Sequence, residues 1–223
     1  MKIGINLVGV SYNDGTIGRY RNYEDAIDGF MTNVINPLKE DGHEIQYYIF
    51  SYDSIKKDDI IKAYQPLIKS EFIHPTYNTM GGGDTLPSGL KVISGTYITS
   101  LLRLLNQDLD LVISTRFDIN FLKNPFKEYE YDFTKFNFLW REPEYTHLPI
   151  VNDTFVVFPH SMLMNVIDSI SEMESNPPYG VNVAMHNWYL PMVNQVGKEN
   201  VQWVCDEFRN AINNDLYKLM RHE

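Results

Sequence analysis

One cysteine in 223 residues, Cys205, excludes an intrachain disulfide and fits a reducing compartment. No stretch approaches the ~20 apolar residues that a membrane helix needs, and the N-terminus enters a strand-like segment without a charged and then apolar leader. A cytoplasmic address is the expectation. Positive charge is also scarce: 19 Lys+Arg face 29 Asp+Glu, for a net charge of −10, and no basic run exceeds two residues. Nucleic-acid binders release counterions from phosphate with clustered Lys and Arg, so nucleic acid is not expected as a partner. A small phosphorylated ligand stays open, because one or two arginines or a metal can hold it against an acidic background.

Familiar catalytic signatures are missing as well. The loop after the first strand spells neither the dinucleotide-binding Gly-Xaa-Gly-Xaa-Xaa-Gly nor a P-loop ending in Gly-Lys-Ser/Thr. No Gly-Xaa-Ser-Xaa-Gly elbow supports a serine hydrolase, and the histidines at 43, 74, 147, 160 and 222 are too scattered for a zinc site. No repeat, low-complexity tract or linker marks a domain boundary. One domain over 1–223 is expected, with halves near 1–120 and 121–223.

What is present is a β-α-β-α rhythm. Residues 2–10 form an apolar first strand, and Tyr23, Ala26, Ile27, Phe30, Met31, Val34, Ile35 and Leu38 fall on one helical face. Asn22 is the expected cap of that helix and Gly42 its stop. A strand over 43–52, a short helix over 54–64 and an extended piece near 72–75 follow. Residues 76–90 are a glycine-rich loop containing Met80 to Asp84, and Ser88 is expected to cap a helix reaching Leu105. Residues 110–115 read as the best central strand. Further strands are expected near 137–140, 154–158 and 201–204, and helices over 161–173 and 181–196. The fold class is α/β, with a mostly parallel sheet covered by helices on both faces.

In such sheets ligands bind beyond the carboxyl ends of the strands. Two loops qualify. The first, from Ser11 to Arg19, offers the Tyr12 ring and the Arg19 guanidinium. The second follows the 111–115 strand as Arg116-Phe117-Asp118-Ile119-Asn120, where Asp118 and Asn120, two residues apart, could both address a divalent cation if they lie on consecutive same-side pleats. Asp153, ahead of a strand, and His186 are acceptor-side candidates, each with an ordinary structural alternative, as a turn residue and a core histidine. Trp140 suits either sugar stacking or the core.

The first strand with its loop, and the central strand ending in an Asp-Xaa-Asp-like signature, resemble nucleotide-sugar glycosyltransferases of the GT-A fold. More closely, the segments from Lys2 to Gly15 and from Val112 to Phe121 resemble a small group of chlorella-virus glycosyltransferase domains thought to act on the major capsid protein. That resemblance implies a UDP-sugar donor, Mn²⁺ or Mg²⁺, a glycan or glycoprotein acceptor, and transfer that leans towards retention of configuration. It also implies that Gly9, Val10, Ser11 and Tyr12 hold the uridine, that Arg116, Phe117 and Asp118 lie along the ribose and diphosphate, and that Asp118 leads the metal ligands with Asn120 in the second position. Two alternatives differ in class or extent: a non-catalytic nucleotide- or glycan-binding module, and one domain of a longer protein.

Overall fold

The computed structural model describes residues 1–15, 20–74, 87–141, 151–175, 184–209 and 214–220. Seven strands form one mixed sheet. In chain order they are β1 (Lys2–Val8), β4 (Glu44–Tyr52), β5 (Leu67–Ile73), β6 (Leu111–Thr115), β8 (Phe136–Phe138), β9 (Phe155–Pro159) and β10 (Val201–Trp203). Their spatial order is β10-β8-β9-β6-β1-β4-β5. β5, β4, β1 and β6 run parallel, β9 runs antiparallel between β6 and β8, and β10 pairs in parallel with β8. Two small antiparallel pairs stand outside it: β2 (Tyr12–Asn13) with β3 (Arg21–Asn22), and β7 (Ile119–Phe121) with β11 (Tyr217–Leu219).

Strand alternation divides the core. Ile3, Ile5 and Leu7 of β1, with Ile113 and Val157, face one side and pack against Phe30, Val34 and Ile35. Those three belong to a continuous helical stretch, α1 (Glu24–Phe30), a π-helical turn (Met31–Ile35) and α2 (Asn36–Glu40). Tyr48, Val112, Val156, Phe136 and Phe138 face the other side. There they meet Tyr97 and Leu101 of α4 (Pro87–Leu102), Val166 and Ile170 of α6 (Leu163–Ser175), and Met192 of α7 (Tyr189–Val196). Two short helices, α3 (Lys57–Ala63) and α5 (Pro125–Glu128), complete the set. Helices on both faces explain why β1 and β6 are buried along nearly their whole length and mostly apolar on both sides. Among the described residues, no helix is long and apolar enough to cross a membrane.

Local chemistry sets several boundaries. The N-cap position of the first helix is Tyr23 rather than the expected Asn22, whose Oδ1, one residue earlier in β3, still accepts the Glu24 amide at 3.1 Å. At the other end Gly42, with φ +80°, donates to Lys39 O while His43 donates to Leu38 O, the paired bonds of a glycine-terminated helix. Other boundaries differ from expectation. α4 begins at Pro87, which suits the first helical position because it lacks an N–H, so Ser88 lies inside the helix and does not cap it. That helix also stops at Leu102. The stretch expected as one helix over 181–196 is a 3₁₀ turn (Ala184–Trp188) followed by α7. Residues 11–22 contain a hairpin where only a loop was expected. The Met80 to Asp84 segment and Arg19 lie outside the described residues.

Candidate functional site

The carboxyl ends of β1, β4 and β6 point to one edge of the sheet. Because β9 is antiparallel, with Phe155 opposite Thr115, the residues preceding β9 reach that same edge. Asp153 is thereby brought beside Arg116 although 37 positions separate them in the chain. Thr115 Oγ1 donates to the Thr154 carbonyl at 3.0 Å and ties the two strand ends together.

The first loop is held from below. Gly9 adopts φ +107°, open to glycine and strained for other residues, and its N–H extends the β1–β4 ladder to Phe50 O at 3.1 Å. Ser51 Oγ donates to the Gly9 carbonyl at 2.8 Å, lies 2.6 Å from the Ser11 hydroxyl and accepts the Ser11 N–H at 3.2 Å. Ser11 is therefore buried and engaged in shaping the loop. Val10 and Tyr12 remain half-buried on it. From Tyr12 the chain enters the hairpin, in which Asn13 pairs with Arg21.

Arg21 joins the two candidate loops. Its Nε lies 3.2 Å from Asp118 Oδ2, and its Nη1 donates to the Tyr20 carbonyl at 2.7 Å. Arg116 grips the same carboxylate with a fork: Nε to Oδ1 at 2.9 Å and Nη2 to Oδ2 at 2.6 Å. Asp118 is only 3% exposed, whereas the side chains of Arg116 and Arg21 keep 29% and 12% exposure. Burial opposes the charge on Arg116, but the nearby Asp118 and Asp153 outweigh it and hold the guanidinium above its ordinary value. It stays a cation throughout the physiological range.

Two polar networks support this centre from opposite faces of the sheet. On the α4 side, Asn6 Nδ2 donates to Ser100 Oγ and Ser114 Oγ, and Ser114 Oγ donates to Tyr97 OH at 2.9 Å. Burial pushes the Tyr97 phenol up and Asp153 adds to that shift, which places Tyr97 within electrostatic reach of the site. On the other face, Asn152 Nδ2 donates to Tyr217 OH at 3.0 Å, Thr154 Oγ1 lies 2.9 Å from that hydroxyl, and Thr154 Oγ1 also donates to Asn152 Oδ1. The C-terminal strand β11 thus fixes the segment that carries Asp153. His186 braces it from outside: Val151 N–H donates to the His186 carbonyl at 2.9 Å, and His186 Nδ1 lies 2.8 Å from the Val151 carbonyl, a contact that requires the proton on Nδ1.

Three of the expected residues are placed differently. Phe117 is buried in the core with its ring edge-on to Tyr64 at 5.9 Å, so it presents no face to a nucleotide. Trp140 is fully buried and stacked on Tyr217 at 5.4 Å, which settles it as core. Asn120 is turned towards α1: a Cβ added to Gly29 would collide with Asn120 Oδ1. Asp118 sits in the turn between β6 and β7 while Asn120 lies in β7, so the same-side pleat argument does not apply to the pair. In this arrangement both oxygens of Asp118 are taken by guanidinium groups and Asn120 Oδ1 is directed at α1. Among the described residues, no group of three His, Cys, Asp or Glu side chains comes together.

No protein-family model matches the chain, and no curated protein matches it. An α/β sheet of this kind serves many chemistries, so its fold does not choose among them.

Proposed function

We propose that this protein is a glycosyltransferase that moves a hexose or deoxyhexose from a UDP-sugar to a hydroxyl of a glycan or glycoprotein. The observation that carries this reading is the convergence of Arg21, Arg116, Asp118 and Asp153 at the carboxyl edge of the sheet, beside the Gly9–Tyr12 loop. A nucleotide base needs a shaped loop with an aromatic face, and Val10 and Tyr12 supply one. Its diphosphate needs directed N–H donors, and the side of the Arg116 guanidinium turned away from Asp118 supplies them. The resemblance of the two strand-loop segments to chlorella-virus domains extends the proposal to capsid-protein glycosylation.

During transfer the bond between the anomeric carbon and the diphosphate oxygen breaks, and the acceptor oxygen bonds to that carbon while losing its proton. Negative charge builds on the departing diphosphate, where Arg116 stabilises it more than in the bound ground state. Asp153 is the carboxylate at this edge suited to face the sugar, either to take the acceptor proton or to stabilise positive charge at the anomeric carbon. A binding module would need the loop and the arginines but not Asp153 within electrostatic reach of Arg116, which favours the enzyme.

Thermal melting with UDP-, GDP- and ADP-sugars tests the proposal. A selective donor at 100 times its dissociation constant adds about 2.7 kcal/mol, which is roughly 5–10 °C for a chain of this length. UDP-sugars are expected to give that shift and to release UDP slowly without acceptor. No shift and no release with any nucleotide sugar would overturn the reading.

A further inference from the structure

Asp118 is too well occupied by arginine to serve as a metal ligand in this arrangement. Arg116 takes both of its oxygens and Arg21 takes one of them a second time. A magnesium ion seeks about six oxygens at about 2.0–2.1 Å in near-octahedral geometry, so it would have to displace those bonds and sit against two guanidinium cations. The second oxygen expected for it, on Asn120, packs against Gly29. Arg116, by contrast, uses only Nε and Nη2 on the carboxylate, which leaves donors of its fork directed away from Asp118, on a side chain that keeps 29% exposure.

We propose that the guanidinium groups of Arg116 and Arg21 hold the donor diphosphate, that Asp118 is the positioning carboxylate that aims them, and that donor binding needs no divalent cation. The inference rests on the nucleotide-sugar reading above. Asp153 balances the second guanidinium, so the four groups are close to neutral together. What they supply is a set of directed N–H donors in a half-buried site, in place of long-range attraction. In a chain of net charge −10 this explains how a diphosphate could be bound where no basic patch draws it in.

Titration calorimetry with UDP and with uridine, first in EDTA and then with MnCl₂, separates the outcomes. The expected result is one UDP affinity in both buffers. Arg21→Gln is expected to weaken UDP by roughly ten- to a hundredfold, the loss of a charge-assisted hydrogen bond, and to leave uridine unchanged. Asp118 keeps its Arg116 fork in that variant, and Arg116→Lys, which retains charge without the fork, should fall between wild type and Arg116→Gln. UDP binding that appears only with Mn²⁺, or Arg21→Gln weakening uridine as much as UDP, would overturn the inference. Failure of both UDP and uridine to bind in either buffer would instead overturn the nucleotide-sugar reading on which it rests.

Discussion

Gly29→Ala reads out where Asn120 points. Gly29 lies within α1, and replacing a mid-helix glycine with alanine ordinarily stabilises by about 1 kcal/mol. Here the new methyl would collide with Asn120 Oδ1 and meet the Phe121 carbonyl at 2.5 Å. A side-chain oxygen can retreat, but the Phe121 carbonyl belongs to β7 and also accepts Asn33 Nδ2 at 2.7 Å, so helix and strand must separate. Overpacking of this kind costs about 1–3 kcal/mol or more, and with a backbone clash the upper end applies, leaving a net loss of about 1–2 kcal/mol after the helix gain. For a protein of this length that lowers the melting temperature by roughly 2–8 °C, readable by circular dichroism. Adding Asn120→Ala should recover part of the loss but not all, because the carbonyl contact persists. A melting temperature equal to or above wild type for Gly29→Ala would refute the reasoning and return Asn120 to consideration as a ligand.

Further predictions concern the support of the site and its pH limits. Tyr217→Phe removes the hydroxyl that meets Asn152 and Thr154, and should cost about 1–3 kcal/mol in urea unfolding as their buried polar atoms lose a partner. Burial raises the phenols of Tyr47, Tyr64 and Tyr97 above their ordinary value of 10.0. A raised folded value contributes stability that is complete below the unfolded value and lost as pH climbs past it. Each such phenol withdraws about 1.4 kcal/mol per pH unit, so the three together withdraw about 4 kcal/mol at pH 11, and unfolding midpoints should fall steeply between pH 10 and 12. A flat alkaline limb would contradict their burial. Hydrogen bonds from Thr134 and Lys123 hold Asp132 and Asp215 below the ordinary carboxylate value, so their contribution is present at neutral pH and lost as pH falls through the depressed values below about 4. Both pairs are exposed, so added salt should shrink that acid-side dependence.

The parts of the fold legible in the sequence are those where one physical cause dominates. β1 and β6 are covered on both faces and are mostly apolar, and the 3.6-residue stripe from Tyr23 to Leu38, with Asn22 before it and Gly42 after it, marks its helix at both ends. The two-residue strands of the 12–22 hairpin carry too little pattern to separate from a loop. The β7–β11 pair joins segments nearly a hundred positions apart, and no local signal announces that. The site was legible to the same degree. Arg116, Asp118 and the Gly9–Tyr12 loop stand out because they follow buried strands. Arg19 and Arg21 look alike in the sequence, and only the pairing of Asn13 with Arg21 brings Arg21 to Asp118. Asp118 lies in a turn and Asn120 in β7, so strand alternation does not relate the two side chains. Asp153 earns its place from the antiparallel course of β9, a property of topology that spacing does not show.

A crystal structure of the protein with UDP tests the central claim most directly. The account predicts the uracil against the Gly9–Tyr12 loop and the diphosphate within hydrogen-bond distance of Arg116 and Arg21, with Asp118 still held in the Arg116 fork. UDP seated away from the carboxyl edge of β1 and β6, or a diphosphate that touches neither arginine, would contradict it.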